Sequence, residues 1–312
     1  MNRGFGVITG VCAAIGAVTV VATIAYGHGD RNRNNAGDEQ YGRQLLAKTS
    51  EFIGPAVANP AMRYTGGNLA CGSCHLNAGA EPGQLSLTAA MSHYPRFSPR
   101  NGGKETIEER IEGCMVRSMN GRRLPEDGRE MRAMVAWLQF LADMDAAAGA
   151  SLKKPLEPGA FQTPKRAADL KAGEEVFGKR CAMCHGKDGA GLQAAKNIAD
   201  GYVFPPLWGS DSFNDGAGMH RLLTAARFVK AKMPLGKADL NDDEAFDVTA
   251  FLNSKPRPQM VNLDRDYPDR SKKPVDTPYP PYADSFPITQ HQLGPFQPIE
   301  AYYSSKPKAP TK

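Results

Sequence analysis

The chain has 312 residues, enough for two domains of about 100–150 residues each. Hydrophobic residues make up 41% and charged residues 23%, which excludes a disordered chain and a multi-span membrane protein. Lys and Arg number 38 against 33 Asp and Glu, a net charge of +5 without a basic stripe, and this argues against a nucleic-acid partner.

The first element is an export segment. Val7 to Tyr26 carries no charge, follows Arg3, and ends in the small-x-small triplet Ala25-Tyr26-Gly27 ahead of a polar run. Residues 1–27 are expected to act as a signal peptide or as an uncleaved N-terminal anchor, the chain's one means of membrane attachment. Either reading places the chain in the periplasm, and Cys12 reads as a small apolar residue of the segment.

A repeated plan follows. A helical pattern over Glu39–Phe52 leads to Cys71-Gly72-Ser73-Cys74-His75, then come a long loop, a helix over Thr106–Met119 and an amphipathic helix over Pro125–Met144. After the proline-rich stretch Lys153–Lys165 the order returns. A helix over Ala168–Lys179 precedes Cys181-Ala182-Met183-Cys184-His185, followed by helices over Ala217–Lys230 and Asp242–Asn253, the last opened by Asn241 and Glu244 at capping-box spacing.

Both cysteine motifs read C-x-x-C-H. Two thiols about one turn apart reach the two vinyl groups of one porphyrin, and the next residue, His, stands under the iron. A thiol–disulfide site does not need the His, and a four-cysteine zinc site has its pairs closer together than Cys71 and Cys181. Two covalently bound haem c groups are therefore expected, on Cys71, Cys74 and His75, and on Cys181, Cys184 and His185. The expected fold is mainly α: two cytochrome c-type haem domains in tandem, over 38–150 and 166–255, joined by a linker over 151–165 and followed by a proline-rich extension over 256–312. The extension is expected to form an ordered strap to about Ile299, with a loose basic end.

The opposite ligands are less determined. In the second unit Met233 precedes Pro234 after the middle helix, where a cytochrome c takes its sixth ligand, and Lys232 is the adjacent alternative. In the first unit Met119 holds the corresponding position, but Cys114 is the one cysteine left without a motif or a partner in the exported chain. Arg110, Cys114 and Ser118 recur every four residues and share a helix face, with Arg117 close by. Cationic neighbours favour a thiolate, which ligates iron or attacks sulfur. Arg100 and Arg110, with Arg117, Arg122 and Arg123 as further candidates, suit a small dianion. One reactive sulfur, an oxyanion site and two one-electron centres fit a two-electron sulfur oxidation. His93, His220 and His291 read as surface or packing residues.

The stretches GGNLACGSCHLNAG (66–79), EERIEGCMVRSMNGRRLP (108–125) and AKMPLG (231–236), with the tail 266–299, resemble the thiosulfate dehydrogenases, periplasmic dihaem cytochromes c. The resemblance implies oxidation of two thiosulfate to tetrathionate, in some members reversibly. It implies His75 and Cys114 as ligands of an active-site haem, and Arg100, Arg110 and Ser118 around the substrate. It also implies a relay haem on His185 whose other ligand exchanges between Lys232 and Met233, and a soluble or membrane-bound c-type cytochrome as acceptor. The alternatives are a non-enzymatic dihaem electron carrier, with Met119 as the first iron's ligand, and a haem subunit of a multienzyme sulfur-oxidising system. A dihaem peroxidase lacks an identifiable acid–base pair.

Overall fold

A computed structural model describes residues 33–149, 161–194 and 200–306. The export segment, most of the linker and residues 307–312 of the basic end lie outside these.

In the first unit, α1 (Arg33–Ala47) and the short α2 (Thr49–Ile53) lead to the cysteine motif, which begins as a 3-10 turn at Cys71–Ser73. An antiparallel hairpin of β1 (Arg96–Ser98) and β2 (Gly103–Glu105) follows, then α3 (Ile107–Arg117) and α4 (Arg129–Ala147). The second unit has α5 (Leu170–Arg180), a one-turn α6 (Ala182–His185), the antiparallel pair β3 (Leu192–Gln193) and β4 (Tyr202–Phe204), α7 (Leu222–Lys232) and α8 (Asp242–Asn253). The extension carries α9 (Ile288–Leu293) and α10 (Gln297–Ser304). None of the described helices is long and apolar enough to cross a membrane.

Each unit is closed by its first and last helices crossing at a glycine. A Cβ on Gly42 of α1 would fall inside the Ala133 carbonyl of α4, and one on Gly173 of α5 would fall inside the Asp247 carbonyl of α8. Backbones this close leave no room for any side chain at the crossing. Around the crossings lie two apolar cores, Leu45, Ile53, Met115, Met131 and Trp137 in the first unit and Phe177, Leu240, Val248 and Phe251 in the second.

Helix starts follow local chemistry. Thr106 and Glu109 form a reciprocal capping box on α3, Asn241 and Glu244 do the same on α8, and Asp169 caps α5 through the Lys171 and Ala172 amides. The helix expected over Ala217–Lys230 is instead broken. Gly218–His220 makes a 3-10 turn, Arg221 is extended, and α7 begins at Leu222. The cause is distant in sequence: Asp276 of the extension pairs with the Arg221 guanidinium and accepts the Leu223 amide, capping α7 from outside.

The extension is a strap on both units. Phe296 and Ile299 are wholly buried in a core with Leu222, Leu223, Phe246 and Ala250 of the second unit, each such side chain stabilising by roughly 1.5–3 kcal/mol. The Tyr267 amide bonds the Arg100 carbonyl of the first unit. The two units also meet directly, where Asp211 accepts the Asn68 amide at 2.8 Å and the Tyr202 hydroxyl at 2.6 Å.

Substituting Gly42 by Leu should destabilise the chain by about 3 kcal/mol, read from the denaturant midpoint. Gly178→Ala, on an exposed face of α5 where a Cβ meets nothing within 4 Å, should instead gain about 0.5–1 kcal/mol.

Candidate functional site

A cavity of about 710 Å³ opens in the first unit, lined by Cys71, Cys74 and His75 on one side and by Arg110, Cys114 and Ser118 of α3 on another. The Cys71 and Cys74 thiols are pushed up to about 11 and about 12, first by burial and also by the field of Cys114, so three sulfurs share one enclosure. The Arg110 guanidinium opens onto the cavity while protein surrounds it. Its pKa is raised above the ordinary arginine value, first by the charge of Cys114, against the cost of burial.

His75 is oriented by the backbone. Its Nδ1–H donates to the Leu85 carbonyl at 2.7 Å, which fixes the tautomer and leaves Nε2 free to ligate. Burial pushes its pKa down, so the ring is held neutral as an iron ligand requires. Leu85 presents that carbonyl from the left-handed region at φ 61°, and Ala78, at φ 52° in the same loop, is pinned by the Trp137 indole N–H at 2.8 Å.

The same device recurs in the second unit. His185 Nδ1–H donates to the Pro205 carbonyl at 2.8 Å, and burial again lowers the ring's pKa. Met233 packs in the apolar cluster that includes Cys181, Ala182 and Trp208. Lys232 turns elsewhere: its ammonium donates to the Pro82 carbonyl at 2.6 Å and meets Glu81 at 3.4 Å, both in the first unit. Met183, between the two cysteines, is 93% exposed.

The expected arginines divide. Arg100 and Arg110 line the cavity, as do Arg123 and Arg117. Arg117 is nevertheless buried and committed, donating to Asp266 at 2.6 Å and to the Gly216 carbonyl at 3.2 Å. Arg122 is a correction to the expected cluster. It stacks on Tyr64 at 4.0 Å and donates to the Arg63 and Ala61 carbonyls, outside the cavity. Met119 borders the cavity yet belongs to the first core at 4% exposure. His93 also borders the cavity, and His291 is buried, stacked on Tyr282 and bonded to Asp284.

Sequence reasoning missed the carbonyls of Leu85, Pro205 and Gly216, which no side-chain pattern announces. It also missed Met219 and Arg221 of the second unit and Tyr267 and Lys272 of the extension, all of which line the first unit's cavity. The only signal for Tyr267 and Lys272 is that the tail is too rich in aromatic and proline residues for a plain solvated end.

The cysteines, the carbonyl-oriented histidines and the helix crossings define a tandem c-type cytochrome, and the residues present at the first motif fit haem c. Residues 63–144 match the family described as SoxA/TsdA, cytochrome c domain, and residues 168–252 match Cytochrome C oxidase, cbb3-type, subunit III. The thiosulfate dehydrogenase of Stutzerimonas stutzeri is 38% identical over 225 residues, 72% of this chain and 69% of that protein. That of Allochromatium vinosum is 41% identical over 201 residues, 62% of this chain and 72% of that protein. The solved structure of thiosulfate dehydrogenase (TsdBA) from Marichromatium purpuratum in its as-isolated form superposes with a TM-score of 0.65 at 31% identity. The match covers 74% of this chain and 48% of that one, so this chain spans about half of the solved protein's length. The chain belongs to the thiosulfate dehydrogenase family.

The Leu85 carbonyl gives a direct test. Leu85→Pro, which locks φ near −65°, should free the His75 ring and raise the high-spin fraction in the absorption spectrum of the haem-loaded protein. Leu85→Gly, at ease with φ 61°, should leave the spectrum unchanged.

Proposed function

We propose that the chain is a dihaem cytochrome that oxidises two thiosulfate to tetrathionate in the cavity of the first unit and passes electrons through the second unit to an external c-type cytochrome. On this reading Cys71 and Cys74 hold the first haem c, with His75 and Cys114 as its iron ligands. Cys181 and Cys184 hold the second, with His185 and Met233, Lys232 being the exchanging alternative. The observation that carries the reading is the placement of the Cys114 thiol, beside the charged Arg110, in one cavity with Cys71, Cys74 and His75. When bound, haem c supplies the one-electron redox centres.

The chain's own residues bind and orient the reactants. Arg100 and Arg110 offer guanidinium groups to the sulfonate end of a thiosulfate dianion, aiming its outer sulfur at Cys114. The Cys114 thiolate forms a sulfur–sulfur bond to that outer sulfur, and two electrons leave. The product is a cysteine S-thiosulfonate carrying one negative charge. A second thiosulfate attacks the same outer sulfur, releasing tetrathionate and restoring the thiolate. Each thiosulfate contributes one electron to the two that leave. Ser118, at the C-terminal cap of α3 and on the cavity wall, is placed to donate a hydrogen bond to the anion.

The haem-loaded protein should consume ferricyanide with thiosulfate and form tetrathionate in matching amount. Cys114→Gly should keep both haems, counted by pyridine haemochrome absorbance, and lose at least about 100-fold in turnover, about 2.7 kcal/mol of activation free energy. Near-normal turnover in that variant would remove Cys114 from the chemistry and favour a plain electron carrier.

A further inference from the structure

One residue of the extension holds an unusual conformation against the anion-binding wall. Tyr267 has φ 58° and is only 4% exposed. A bulky side chain in the left-handed region is strained and persists where its surroundings dictate it. Here both backbone groups are clamped. Its amide donates to the Arg100 carbonyl at 2.8 Å, and its own carbonyl accepts from Arg270 at 2.7 Å.

The strained turn puts the phenol ring beside Arg100, whose guanidinium carbon lies 5.6 Å from the ring centroid. One edge of that guanidinium is fixed as well, since Nη1 donates to the Gly216 carbonyl of the second unit at 3.2 Å. The adjacent residue, Asp266, binds Arg117 and the Tyr279 hydroxyl at 2.6 Å each. Asp266 is thus hydrogen-bonded elsewhere and reaches Arg100 only through its field, and no carboxylate is hydrogen-bonded to Arg100 among the described residues. Arg100 is held by the Gly216 carbonyl and by Tyr267, whose hydroxyl hydrogen-bonds it and whose ring lies beside it; none of these is a carboxylate, so its positive charge stays available to a bound anion.

We propose that Tyr267, supplied by the C-terminal extension, is a positioning residue that holds Arg100 in the first unit's cavity and so sets that cavity's affinity for its dianion. The inference rests on the thiosulfate reading above for the identity of the anion. It assigns the extension a part in substrate recognition, beyond packing.

The test uses the full-length, haem-loaded protein. Tyr267→Leu keeps the apolar bulk and removes both the ring and the hydroxyl that bonds Arg100, and Tyr267→Phe keeps the ring alone. Thiosulfate binding is titrated by calorimetry without an electron acceptor, and KM and kcat are measured separately with ferricyanide. Tyr267→Leu should weaken binding and raise KM about tenfold, or 1.4 kcal/mol, with kcat changed less than about twofold. Tyr267→Phe, which loses only the hydroxyl, should fall between the wild type and Tyr267→Leu in both. In an Arg100→Gln background, Tyr267→Leu should cost less than about twofold more, because its effect acts through Arg100. An unchanged affinity in Tyr267→Leu, or an equal loss with and without Arg100, would overturn the proposal. If Tyr267→Leu loads haem poorly, Tyr267→Met serves in the same cycle and is read the same way. Wild-type protein that binds thiosulfate without oxidising it refutes the thiosulfate reading, and the binding cycle still decides the role of Tyr267. Absence of any binding refutes both.

Discussion

Two guanidinium groups share one carbonyl. Arg100 and Arg117 of the first unit both donate Nη1 to the oxygen of Gly216, at 3.2 Å each. Gly216 belongs to the second unit, and the residues that hold the two arginines from the other side, Tyr267 and Asp266, belong to the extension. The carbonyl can come this close because Gly216 has no side chain. A Cβ there would stand 2.8 Å from Arg117 Nη1 and 2.7 Å from the Met260 sulfur. The wall of the first cavity thus depends on three stretches of chain meeting at one point.

That dependence separates two kinds of positive charge. Arg117 is neutralised by a buried carboxylate, and an ion pair of this kind mainly fixes geometry, since desolvation offsets much of its attraction. Arg100 meets a carbonyl and an aromatic ring, and its pKa is raised above the ordinary arginine value. Burial opposes that rise, and the fields of Tyr267, Tyr279 and Asp266, with the hydrogen bond to Tyr267, outweigh it. One arginine builds the wall, and the other lines the cavity without a carboxylate hydrogen-bonded to it among the described residues. Their neighbouring positions around the same carbonyl give no hint of this division in the primary structure.

Much of the architecture was legible. The paired C-x-x-C-H motifs, the capping box at Asn241 and the apolar periodicity of the closing helices are local patterns, and the structure realises them locally. The broken helix before α7 was not legible, because its cap is Asp276, more than fifty residues downstream. Placing Arg122 in the cavity failed for a similar reason: a run of arginines does not say which one finds Tyr64. The carbonyls that orient His75 and His185 carry no sequence signature, since any residue can provide one. What decides each of these features is a partner brought near by tertiary folding.

The arrangement around Gly216 also bears on how separable the two halves are. Tandem repeats invite the view that each unit is a module that could be cut out or exchanged. A fragment ending near residue 149 would keep its own helix crossing and its own cysteine motif. Arg117 would then face solvent or a cavity with neither Asp266 nor Gly216, and Asn68 would lose Asp211. The repeat is modular in its helices and indivisible in the wall of its first cavity.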